Sequence, residues 1–153
     1  MRRILHVFIA VTSLLTVASP ADAGPVHSAS ADQAFVEREL YSTSITSFVA
    51  AVGSDDWYDW SSDFCSAPLV GNTGRSFNFT ESCRRHDFGY RNLQLLDRRY
   101  GSGHWTGSTR KRVDRLFLAD MKRHCWSRPW YDEPTCLAWA RAFYTAVRVA
   151  GGP

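Results

Sequence analysis

The segment ESCRRHDFGYRN, residues 81–92, puts a histidine beside an aspartate, His86 and Asp87, shortly after Cys83. Histidine is the side chain that gives and takes protons near neutral pH. A carboxylate next to it can hold a cation or a proton. On a helix, adjacent residues diverge by about 100°, so His86 and Asp87 cannot aim at one atom. They can aim at neighbouring ones, a water for the histidine and a metal for the carboxylate. Cys83 precedes them by three and four residues, which places it one turn below both.

What Cys83 is tied to therefore matters. The chain has four cysteines, Cys65, Cys83, Cys125 and Cys136. An even count in a small exported chain points to two disulfides, and four cysteines allow three pairings. A tetrahedral zinc site is the competing use, but the usual C-x2-C spacing is missing. If Cys83 pairs with Cys65, their Cα atoms lie within about 4.4–6.8 Å. The loop carrying Asp63 and Phe64 is then pinned beside the helix, and Asp63 becomes a neighbour of Asp87. Two such carboxylates repel unless a cation or a proton joins them. Hard oxygen ligands favour calcium over zinc, and the main-chain carbonyl of Phe64 can add to them.

A histidine acting as a base needs an orienting partner for its second nitrogen. Asp114 is the best placed, because it shares the inward stripe of Phe117 and Met121 on its own helix. A carboxylate on an apolar stripe requires a partner. Packing that helix antiparallel to the one bearing His86 brings the two together. Tyr90, four residues after His86, shares its face and can support the site or simply pack. Each sign has a plainer reading: a His-Asp pair is commonly a solvated surface pair, and an inward aspartate is commonly a structural hydrogen-bond acceptor. Asp55, Asp56 and Asp59 read as a solvated acidic patch, without EF-hand spacing.

The elements that must position these residues are helical. From Asp32 the apolar residues Phe35, Val36, Leu40, Ile45, Phe48, Val49 and Val52 recur at threes and fours, predicting a long first helix that stops at Gly53. Residues 54–77 read as a short turn followed by irregular chain. Asn78 and Glu81 match a capping box, predicting a helix from there to about Asp97. Ser108 is a candidate cap for a helix through about Cys125, and a last helix fits 134–150. No stretch alternates with period two long enough for a strand. The fold class is therefore all-α, a small disulfide-stapled helical domain whose long antiparallel helix pair carries the site.

The chain opens with Arg2-Arg3, an apolar run and Ala21-Asp22-Ala23, the pattern of a secretory signal removed after residue 23. Residues 24–31 read as a small, polar, mobile lead-in, and 32–153 as one domain. The net charge of +3 at pH 7 is weak for a nucleic-acid binder and compatible with an anionic lipid surface.

The segments DWSSDFC (59–65), CRRHDFGYRN (83–92) and RVDRLFLADMKRHC (112–125) resemble, in matching order, the small secreted phospholipase A2 family of actinobacteria and fungi. The resemblance implies His86 as general base and Asp114 as its orienting partner. It implies Asp63, the carbonyl of Phe64 and Asp87 as calcium ligands, and Cys65–Cys83 and Cys125–Cys136 as disulfides. It implies calcium-dependent hydrolysis of the sn-2 ester of glycerophospholipids by a secreted monomer, working at a phospholipid membrane or micelle interface. Trp57, Trp60, Trp105, Trp126, Trp130 and Tyr131 are candidates for the rim of the lipid channel or an interfacial collar. Two other classes stand beside this reading: a secreted non-catalytic lipid-binding or toxin-like module on the same fold, and a histidine-dependent nuclease, against which the weak charge argues.

Overall fold

A computed structural model describes residues 27–65 and 71–150. The expected signal, 1–23, and residues 24–26 of the lead-in lie outside the described residues. Among those described there are five α-helices: α1 (Ala29–Glu37), α2 (Ile45–Ala51), α3 (Thr80–Tyr100), α4 (Gly107–Trp126) and α5 (Glu133–Ala150). No strand forms among them; an isolated bridge joins Thr73 to Asn78.

Residues 27–31, assigned to the lead-in by sequence, are part of the fold. Ser28 caps α1 by accepting from the Ala31 N–H, and the His27 ring stacks on Trp57 at 4.1 Å. The long first helix does not form as one piece. After α1 the chain widens into a π-helical turn, Arg38–Ser42, and leaves the helix at Thr43 (φ −89°, ψ 137°). Thr43 donates both its N–H and its hydroxyl to the Arg38 carbonyl, and the Ser44 hydroxyl caps α2 through the Ser47 N–H. Hydroxyl side chains offer the backbone such local alternatives to a helix. Apolar periodicity does not register the break, because both halves still face the same core.

Two helix starts also differ from the sequence reading. Asn78 accepts from the N–H and hydroxyl of Thr80 instead of closing a box with Glu81, which pairs with Arg84. The capping box forms one helix later, where Thr106 and Thr109 bond reciprocally.

Helices α3 and α4 run antiparallel: Arg85 meets Asp120 toward one end of the contact and Tyr90 meets Arg110 toward the other. Gly89 allows the close approach between them, since a Cβ there would stand 2.8 Å from a Val113 methyl. The disulfide Cys125–Cys136, with Cα atoms 5.5 Å apart, turns α4 back into an antiparallel α5. One apolar cluster, with Phe79, Phe117, Met121 and Phe143, lies among α3, α4 and α5. A second, with Val36, Leu40, Phe48, Phe88 and Leu96, seats α1 and α2 against α3. Helix α3 thus has a core on two sides, which fixes the direction of every side chain it carries.

Candidate active site

The loop before α3 is held to it at two points. Asn92, fully buried, accepts from the Asp59 N–H at 2.9 Å and donates to the Asp59 and Phe88 carbonyls. Six residues on, the disulfide Cys65–Cys83 closes with Cα atoms 5.4 Å apart. Both pairings implied by the resemblance are present. Between the two anchors lie Ser62, Asp63 and Phe64.

This brings Asp63 against Asp87, and the two carboxyl groups are in hydrogen-bonding contact. Burial pushes Asp87 up to about 6, helped by the negative charge of Asp63 and opposed by the Ser62 hydroxyl, which donates to Asp87 Oδ2 at 2.6 Å. Asp63 is lowered: burial would raise it, but its own backbone N–H, the bond with Asp87 and Arg91 (3.2 Å) outweigh that. Of the two, Asp87 is therefore the carboxyl that takes up a proton first as pH falls. Phe64 sits at φ 58°, a region uncommon for a bulky residue. Its N–H bonds the Ser62 hydroxyl and its ring lies under the Arg84 guanidinium.

His86, one turn above the disulfide, is buried and lies between the rings of Tyr90 (4.2 Å) and Phe117 (4.7 Å). Its Nε2 meets Asp114 Oδ1 at 2.8 Å. With Nε2–H donating to the carboxylate, the tautomer is fixed and Nδ1 carries the lone pair. Asp114 is fully buried on the inward face of α4, as its apolar stripe predicts. Tyr90 donates to Oδ1 at 2.7 Å and Arg148 to Oδ2 at 2.6 Å. Burial would raise Asp114, but the bonds with His86, Arg148 and Tyr90 hold it below the usual carboxylate value. The arrangement can take a proton from a water at Nδ1 and stabilise the resulting imidazolium.

The structure thus brings Asp114 to His86 and Asp63 to Asp87, with His86 and Asp87 close enough for their charges to interact and Phe64 in the loop beside Asp63. Sequence reading missed Ser62, Arg91, Asn92, Arg110 and Arg148. Arg91 follows Asp87 by four residues, a spacing that could have suggested it, and Asn92 closes the quoted motif. Arg148 carries no local sign, being 34 residues from Asp114. Among the described residues, no group of three or more histidine, cysteine or carboxylate side chains could hold a metal.

The six aromatics separate. Trp60 and Trp105 pack onto the α1–α2–α3 core, and Trp57 lies between His27 and the Arg99 guanidinium. Trp126, Trp130 and Tyr131 stand out at the α4–α5 turn, 61%, 83% and 62% exposed. Among the described residues no helix is long and apolar enough to cross a membrane.

Fold and site together define a small disulfide-stapled helical domain built around a buried His-Asp pair with two carboxyls beside it. Residues 36–151 match the model of the family described as prokaryotic phospholipase A2. A protein named secretory phospholipase A2 from Arthroderma benhamiae is 34% identical over 149 residues, covering 94% of this chain and 95% of that protein. Another of that name, from Beauveria bassiana, is 32% identical over 143 residues, covering 92% and 70%. The chain belongs to the prokaryotic phospholipase A2 family and is a lipid-hydrolysing enzyme.

Proposed function

We propose that the chain is an exported, calcium-dependent phospholipase A2 that hydrolyses the sn-2 ester of glycerophospholipids to a fatty acid and a lysophospholipid. The observation that carries this reading is the His86–Asp114 pair with the Asp63–Asp87 pair next to it. His86 takes a proton from a water through Nδ1, and that water attacks the ester carbonyl. Asp114 keeps Nε2–H in place and balances the imidazolium charge. The proton then passes from His86 to the departing lysophospholipid oxygen, with no covalent enzyme intermediate. Phe117 and Tyr90 flank the imidazole and limit the water around it.

Calcium fits the residues present. Two carboxyls held in contact, with Asp87 raised to about 6 partly by the charge of Asp63, make an all-oxygen donor set that a hard dication relieves. Asp63, Asp87 and the Phe64 carbonyl would hold it. Bound there, calcium supplies positive charge for a phosphate and a developing oxyanion.

The membrane-facing surface is formed by the exposed Trp126, Trp130 and Tyr131, whose amphipathic rings suit a lipid–water boundary. Arg75 and Arg128 stand beside them, each 3.7 Å from Asp132. Residues 1–23 serve as the removed export signal.

The test is fatty-acid release from sn-2-labelled phospholipid vesicles with calcium or a chelator, alongside a nucleic-acid digestion control. Release that needs calcium is expected. Vesicle binding without release would sink the enzymatic reading in favour of a lipid-binding module, and release unaffected by chelator would remove calcium from it.

A further inference from the structure

The catalytic carboxylate is held from a place the local motif does not reach. Asp114 divides its oxygens: Oδ1 takes His86 and Tyr90, and Oδ2 takes Arg148, from the last turn of α5, at 2.6 Å. Apart from Arg148, the nearest cation to Oδ2 is the Arg110 Nε at 3.8 Å, too far for a hydrogen bond. Without Arg148, a fully buried carboxylate would have one oxygen unsatisfied and would be free to rotate its plane.

A helix end makes a poor anchor, because its last four carbonyls have no partner within the helix and tend to fray. Arg110 removes that weakness here. Its Nη2 donates to the Val147 and Arg148 carbonyls at 2.7 and 2.9 Å, while its Nε donates to the Tyr90 hydroxyl at 3.1 Å. Tyr90 in turn donates to Asp114. The bonds form a closed ring through Asp114, Tyr90, Arg110 and the α5 terminus, returning to Asp114 through the Arg148 side chain.

We propose that Arg148 is a positioning residue for catalysis, with Arg110 clamping the end of α5 that carries it: together they fix the carboxylate plane of Asp114 and so the orientation of His86. This rests on the reading of His86 and Asp114 as the base and its partner. Arg148 donates to Asp114 and has no part in proton transfer. Its loss should therefore lower turnover and spare substrate binding. Misplacing a reacting group by about 1 Å can cost on the order of 100-fold, which sets the scale.

The experiment measures kcat and KM on a monomeric short-chain phospholipid at saturating calcium, for the parent, His86→Ala, Arg148→Ala and Arg148→Lys. Arg148→Ala is expected to lose roughly 10–100-fold in kcat with KM unchanged. Adding millimolar guanidinium, which fits the vacated space and restores the donor, should recover part of that loss. Arg148→Lys should fall between the alanine variant and the parent. Parental kcat in Arg148→Ala, a loss confined to KM, or a loss that guanidinium does not touch each overturns the proposal. If Arg148→Ala unfolds at assay temperature, Arg148→Gln replaces it with the same expected loss, and parental turnover there is equally fatal. An inactive parent, or a His86→Ala variant as active as the parent, would instead overturn the functional reading beneath it.

Discussion

Two buried aspartates in this chain each meet a histidine. Asp114 meets His86 at 2.8 Å, and Asp32 meets His27 at 2.9 Å. Both also accept from tyrosine: Asp114 from Tyr90, and Asp32 from Tyr58 and Tyr100. The two His-Asp contacts are alike in length, though His27 uses Nδ1 and His86 Nε2, and their surroundings separate them. Asp32 takes its fourth donor from the Trp57 indole at 2.6 Å, so it gathers α1, the 57–58 turn and the end of α3 onto one carboxylate. The His27 ring is stacked flat on that same indole. Asp114 takes an arginine instead, and its histidine stands next to the Asp63–Asp87 pair. The Asp32 cluster has the features of a structural tie. The Asp114 cluster adds a fixed charge and an adjoining pair of carboxyls, the surroundings that the proposed removal of a proton from water would use.

The largest contrast comes from deleting each histidine. His86→Ala should lose about 10²–10⁴ in rate, the usual worth of a general base, with an unchanged circular dichroism spectrum. His27→Ala should keep parental turnover and melt at a lower temperature. If a folded His27→Ala were as inactive as His86→Ala, the distinction between the clusters would collapse.

Next comes the carboxyl pair beside the Asp114 cluster, the calcium ligands of the proposed reading. Asp87→Asn keeps one ligand oxygen and loses a charge, and calcium affinity follows ligand charge. The calcium needed for half-maximal activity should rise, and excess calcium should restore part of the rate. His86→Ala should show no such rescue. An unchanged calcium requirement in Asp87→Asn would remove it from the ligand set.

On the Asp32 side the expected effects are on stability. Burial would raise Asp32, but bonds from His27, Trp57, Tyr100 and Tyr58 leave it lowered from its ordinary 3.8. A depressed carboxyl stabilises the fold fully above the unfolded value and loses that contribution as pH falls through the folded one. Asp32→Asn should therefore be less stable at pH 7, by about 1–3 kcal/mol. That deficit should shrink as pH drops below 3.8. Thermal melts from pH 2 to 7 measure it, and a deficit constant with pH would mean Asp32 is not held ionised by this cluster. Turnover per folded molecule should stay parental.

The smallest effect is from one donor. Tyr58→Phe removes a hydrogen bond to Asp32 and keeps the ring stacked on Phe35, so about 1 kcal/mol should be lost. A melting temperature equal to the parent's would show that the remaining donors compensate.

The site was more legible than the scaffold around it. His86, Asp87 and Cys83 are positioned by helical spacing alone, and an aspartate on the Phe117–Met121 stripe had to turn inward. The helical class and the α3–α4 pair followed from periodicity. The break at Thr43–Ser44 was hidden because a hydroxyl cap competes with the helix without altering the apolar pattern. The same apolar run could not show that Asp32 is buried, since its donors come from residues 25, 26 and 68 positions away.

What local geometry controls was readable from the chain alone: the helix faces and which side chains share a turn with Cys83. The tertiary structure decided which distant groups complete each carboxylate. Arg148 reaches Asp114 only because the Cys125–Cys136 turn folds α5 back along α4 and Arg110 holds its final turn. A buried charge takes its partner from whichever chain segment packing brings within about 3 Å, and sequence spacing carries no record of that distance.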